Sequence, residues 1–378
     1  MSFRTSVLAL TTAAAVTAGA FAAPVAAAAD FPSAGSVPVA ELDVNHPDGA
    51  LAYAFADPVM QSEIDLVTRQ MRELRGKAWD ANLPFNGGTL QQAARANGFN
   101  TREEYANGIA WDRGLEHAAL QRAAECNFLF DHQRAVGAKK PEVLDSSYPA
   151  ENLTSAKMDD AVFSWSTHRN EGPSEWEKLV RANGVRSTGN GHLHSILNPE
   201  LVYFAQAEVG KVTAGLYSDK DTPFEPERLA SGRHAFPIAV PEDAVRNPDL
   251  ITTGGTSVGS TGSLGLSIDG FWGAKLGIPA ASPSSSDPDV LDVNEDGTYE
   301  AKAEGTATIT LNTYELRNGQ PQVSDNQVTK TVTVRKKSLG GDLSSGGMDA
   351  GTIVGIISGV LALIGVATQV ARQLGILR

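Results

Sequence analysis

The sequence predicts an α/β protein: a mixed helix-and-sheet domain, a small β-sandwich after it and a hydrophobic helix at the C-terminus. Three observations predict this. Apolar residues recur at helical spacing from Pro58 onward, and strand-like texture takes over from Val185. Beyond about residue 236 only short strands among Gly, Ser and Thr remain.

The composition sets the frame. With 378 residues, 20% charged and 42% hydrophobic, the chain has a globular composition and a length suited to two domains. A net charge of -13 offers no basic stripe to neutralise phosphates, which excludes a nucleic-acid partner. The single cysteine, Cys126, excludes an intramolecular disulfide framework.

Residues 1–29 read as a secretory signal peptide, with Arg4 as the basic region, an apolar run over 7–16 and Ala27-Ala28-Ala29 as the cleavage site. Residues 30–57, rich in Ala, Pro and Ser, read as an extended lead-in. A first domain is expected over 58–222. Ile64, Val67, Met71 and Leu74 line one face of a helix that Gly76 interrupts, and Asn86-Gly87-Gly88 marks a turn. A short helix follows over 89–97, and Thr101 with Glu104 forms a capping box. From Trp111, a stripe of Leu115, Ala118, Ala119, Arg122, Ala123 and Cys126 suits close packing, with Cys126 as a small buried hydrophobe. Residues 192–197, 201–209 and 211–217 read as strands. Helices followed by strands suggest an α/β or α+β sandwich.

A second domain, a small β-sandwich, is expected over 236–335. Asp296-Gly297 makes a hairpin turn there, and residues 306–311 and 329–334 alternate. A Gly/Ser linker over 336–350 leads to a hydrophobic segment at 351–371. Its stretch 351–370 carries no charge and matches the length of a membrane-spanning helix. Gly351, Gly355 and Gly359 stand at the spacing that lets two such helices pack closely, which predicts a homodimer. Together these features predict an exported, cell-surface protein anchored in the membrane at its C-terminus.

The chemistry centres on His192 and His194. On a strand, two residues apart, both point to one face, where a pair of imidazoles suits metal ligation or proton transfer. His132 and Glu151 lie upstream. His168 reads as a surface loop residue and His117 as part of a solvated helix face.

Residues 60–218 resemble the CAP superfamily, the cysteine-rich secretory, antigen and pathogenesis-related group. The likeness rests on four motifs in order: Trp111-Asp112 with Leu115 and Ala118-Ala119, Phe130-Asp131-His132, Ala150-Glu151-Asn152-Leu153, and Gly191-His192-Leu193-His194 through Asn198-Pro199. The resemblance implies an α-β-α sandwich whose groove holds two His and two Glu. Here these are His132, Glu151, His192 and a second Glu within Ser174-Glu175-Trp176-Glu177. Glu177 is favoured and Glu175 is the alternative. Leu193 replaces the family's Tyr, and His194 stands where a small polar residue is usual, so it could enlarge a metal site. The implied cofactor is a divalent metal, zinc or magnesium, and the implied ligand is a lipid or a peptide. The implied role is binding more than reaction. A metal-assisted hydrolase with Glu151 or Glu177 as base, or a non-catalytic envelope adhesin, is the alternative. The four groups could also simply bond one another and hold the sandwich together. Residues 286–334 resemble the second half of a group 2 bacterial Ig-like domain.

Overall fold

The computed structural model describes residues 46–137, 149–168, 172–222 and 226–337. The expected signal peptide, most of the lead-in and linker, and the segment 351–371 lie outside these residues. No helix among the described residues is long and apolar enough to cross a membrane.

The chain opens with β1 (Gly49–Ala56), an apolar run buried at almost every position. α1 (Gln61–Asp80) follows and continues through Gly76, where Arg102 packs against it. A small hairpin, β2 (Pro84–Phe85) and β3 (Gly88–Thr89), turns at Asn86-Gly87, both at positive φ as this tight turn requires. Thr89 and Thr101 then cap α2 (Leu90–Ala96) and α3 (Arg102–Asn107), each with a complete capping box. Next come β4 (Ala110–Trp111), α4 (Arg113–Cys126), β5 (Ala150–Thr154) and α5 (Met158–Ser164). They are followed by α6 (Glu175–Arg181), α7 (Gly191–Leu197), β6 (Tyr203–Val209) and β7 (Val212–Ser218). The remainder is strand: β8 (His234–Val240), β9 (Asp249–Thr252), β10 (Thr261–Asp269), β11 (Lys275–Ile278) and β12 (Ala280–Ser285). It ends with β13 (Leu291–Val293), β14 (Thr298–Ala301), β15 (Gly305–Arg317) and β16 (Gln320–Val334).

The expected α-β-α sandwich with an appended Ig-like sandwich is not the fold. Most of the regular structure is strand, and a ten-stranded, barrel-like sheet dominates it. Along that sheet the order is β12-β15-β1-β11-β10-β14-β13, with β16 on β15, β8 on β1 and β9 on β10. The element that overturns the expectation is β1. Expected as lead-in, it pairs along its length with β8 and also meets β11 and β15. The strands expected to form a separate sandwich therefore join a sheet begun by residue 49. A run of eight mostly Ala and aromatic residues reads as low-complexity lead-in by composition. Here it is an interior strand, because small side chains let neighbouring layers close over both faces.

A second sheet of four strands, ordered β4-β6-β7-β5, carries the helices. It is antiparallel apart from the β4–β6 pair. α4 packs on β6 and β7 and also on β8 and β1, so this one helix is shared between the two sheets. Every residue from Gly114 to Cys126 is buried, which explains its alanine content. The hydrophobic core consequently runs without a break from α1 to β16.

Residues 191–197, expected as a strand, form the helix α7. The His-Leu-His alternation suggests period 2, but the buried residues Leu193, Ile196 and Leu197 follow helical spacing. The amide of His194 closes the first turn on the carbonyl of Asn190 at 3.0 Å.

Candidate functional site

Two imidazole–carboxylate pairs face one groove of about 450 Å³ at the β5 edge of the four-stranded sheet. His132, on the loop after α4, places Nδ1 2.8 Å from Glu151 Oε1 on β5. His192, in the first turn of α7, places Nδ1 2.7 Å from Glu175 Oε1 at the start of α6. Arg186 and the turn Ser187–Thr188–Gly189 complete the lining with Gly191.

Both carboxylates are committed. Glu151 is fully buried, and its Oε2 accepts from Arg122 Nε at 2.8 Å. Glu175 Oε2 accepts the Leu193 amide at 2.9 Å, tying α6 to α7. An ionised carboxylate is acceptor-only, so each takes an N–H from its imidazole Nδ1 and leaves Nε2 with its lone pair in the neutral ring.

Behind Glu151 lies a buried chain of charge. Arg122 also donates to Glu125 Oε2 at 2.8 Å and to the Asp131 carbonyl at 2.7 Å, and Glu125 in turn pairs with Arg134. Burial opposes the charge on Arg122, but the hydrogen bond to Glu151 and the carboxylates of Glu151 and Glu125 favour it, and its pKa lies above the ordinary value. Through the Asp131 carbonyl and Glu151, Arg122 fixes the loop that carries His132. Cys126 shares this interior as a buried thiol whose pKa burial pushes up to about 12, the inert hydrophobe expected.

α7 is gripped at its far end. Arg75, fully buried, donates to the Ile196 carbonyl at 3.1 Å, and the Tyr105 hydroxyl donates to the Leu197 carbonyl at 2.6 Å. These donors satisfy carbonyls that a helix terminus leaves open. At the other end, buried Asn190 accepts the Ser187 amide at 2.7 Å and donates to the Val185 carbonyl at 3.1 Å. Asn152 on β5 donates to the His192 carbonyl at 3.1 Å. The position of His192 thus rests on three neighbouring elements.

The groove brings together His132, Glu151 and His192 as the sequence suggested, with Glu175 as the fourth member. Glu177 is elsewhere. It is the N3 residue of α6, where its Oε2 accepts from the Ser174 amide at 2.9 Å, and it lines a separate cavity beside α1. The capping-box pattern Ser174-x-x-Glu177 is the sequence signal that assigns Glu177 to the cap and frees Glu175. His194 is also outside the groove. Residues two apart on a helix point nearly opposite ways, and His194 stacks on Phe85 at 4.5 Å with Nε2 2.9 Å from Asn86 Oδ1. Burial, reinforced by the charge of Arg186, lowers its pKa. His117, expected on a solvated face, is buried because α4 has no solvated face. His168 is exposed, with its ring edge-on to Phe163. Arg122, bonded to Glu151 behind the groove, and Arg186, on its wall, are the neighbours of the two pairs that sequence reasoning passed over. A charged residue inside an alanine-rich stripe was the available sign of Arg122.

Among the described residues, no cluster of three or more His, Cys, Asp and Glu is arranged to enclose a metal ion. What the groove supplies is two imidazoles, each oriented by a carboxylate, and that arrangement suits a partly open site. A metal-ligating histidine generally donates its other N–H to a carboxylate, which fixes the tautomer and strengthens the ligand. Glu151 and Glu175 fit as such orienting groups, not as ligands themselves. Neutral imidazole nitrogen favours zinc over magnesium, which takes oxygen ligands. Compared with known proteins, the chain matches no family model, no curated protein and no solved structure.

Proposed function

We propose that this chain is an exported, cell-surface binding protein whose groove holds a zinc ion between His132 and His192 and receives a lipid or peptide ligand beside it. The observation that carries the reading is the pairing of each histidine with its own committed carboxylate at one cavity. A bound zinc would supply a Lewis-acidic position open to a ligand oxygen. The chain's own groups do the rest: Glu151 and Glu175 hold the rings in one tautomer, Arg122 holds Glu151, and the 187–191 turn shapes the wall. The ordered motifs that resemble the CAP group support the same assignment at the level of the site. The N-terminal signal and the uncharged 351–370 segment support export and anchorage. The hydrolase alternative requires a carboxylate free to take a proton. Among the described groove residues, Glu151 and Glu175 are both bonded already, and Glu177 lies outside.

Zinc titration calorimetry on the full chain tests the proposal. Saturable binding is expected in the wild type and in His194→Ala, and its loss in the His132→Ala, His192→Ala double variant. Absence of binding in the wild type, or its survival in the double variant, would overturn the reading.

A further inference from the structure

A second cavity, of about 630 Å³, adjoins the groove, and Arg186 lines both. His192 faces the first and His194 the second, because α7 turns between them. Arg186 is exposed, and among the described residues its guanidinium has no carboxylate or carbonyl partner. It lies across Gly191, where a Cβ would stand 3.5 Å from Nε and 3.8 Å from Nη2. Its loop is preorganised by the Asn190 bonds, which reach the residues on both sides of Arg186. Two further cations stand close by. Lys178 Nζ would be 3.0 Å from a Cβ on Gly189, and Lys220 lines the second cavity. Glu200 and Asp219 line that cavity too, so its charge is mixed, and Arg186 is the cation that borders both cavities.

The edge of the sheet runs past both spaces. β5 is the end strand of the four-stranded sheet, with Ala150 in the second cavity and Glu151 in the first. β5 is itself buried from Glu151 to Thr154 under α7 and Trp165, so the cleft walls are side chains, with Arg186 between the two spaces.

We infer that the two cavities form one polar cleft for a peptide, with Arg186 receiving its carboxylate next to the histidine groove. Guanidinium meets carboxylate in a two-bond fork that an amide cannot reproduce. The inference rests on the binding role proposed above and narrows its ligand from lipid or peptide to a carboxylate-bearing peptide.

The test is fluorescence polarisation on the full chain with zinc present, using a labelled tetrapeptide pool with free C-terminal carboxylates and the same pool amidated. The wild type is expected to bind the acid pool at least tenfold more tightly than the amide pool. Arg186→Gln should abolish that preference while keeping zinc binding by calorimetry. Equal binding of the two pools, no binding of either, or a preference that survives Arg186→Gln would overturn the inference. If zinc binding persists without carboxylate preference, this inference alone fails. If carboxylate preference persists without zinc binding, the metal reading alone fails.

Discussion

At the scale of single residues, Glu151 has the largest expected effect. It is buried against Arg122, so Glu151→Gln leaves a guanidinium short of a charge partner and lets the His132 ring turn. Breaking one side of a buried ion pair costs about 3–5 kcal/mol, and urea denaturation should show a loss of that order. His194 carries a pH dependence. Its folded-state pKa lies below the ordinary 6.5 through burial, so it favours the neutral, folded form. The unfolded chain takes up the proton first, and stability should fall as pH drops below about 6.5. Urea midpoints at pH 7.5 and pH 5 should differ less in His194→Gln than in the wild type. His132, Glu151 and His192 were legible as residues because short motifs surround each of them. Glu175 stood only as the alternative to Glu177, although the Ser174-x-x-Glu177 capping box marks the helix start that separates them. Arg186 was illegible, because only the folded turn sets it between two cavities.

At the scale of elements, β1 and α7 are where local pattern misleads. β1 carries no polar alternation because both its faces are covered, so sequence texture alone reads it as spacer. Leu51 belongs to a small core with Tyr53, Ala235, Ala239 and Leu316. Leu51→Ala should cost about 2–5 kcal/mol, as for other buried leucines, whereas a true lead-in residue would cost nothing measurable by thermal or urea unfolding. α7 is a seven-residue helix too short to stand alone, so its conformation is decided by tertiary grips that no local pattern records. Tyr105→Phe removes one of them and leaves the Leu197 carbonyl without its donor. A cost of about 1–2 kcal/mol is expected in urea, with a shifted His192 ring resonance by NMR as α7 loosens. The capping box of α3 was legible, because there the hydrogen bonds are local to four residues.

At the scale of the whole molecule, helix α4 decides the architecture. It lies against strands of both sheets and is buried all round, so neither sheet has a complete core without it. The two-domain expectation came from a change of texture near residue 236, and that change is real. It marks where helices stop, not where one core ends. Calorimetry should accordingly show the described residues unfolding in one transition, and residues 236–335 expressed alone should stay unfolded by circular dichroism for want of β1 and α4. Two separate transitions, or a folded 236–335 fragment, would count against the shared core.

The central claim is that His132 and His192 share one ion. It is tested most directly by zinc-edge anomalous scattering from crystals of the full chain grown with zinc. The account predicts one strong peak in the groove, within ligand distance of both Nε2 atoms and with Glu151 and Glu175 still on the Nδ1 side. A groove without a peak, or a peak held by His194 instead, would contradict it.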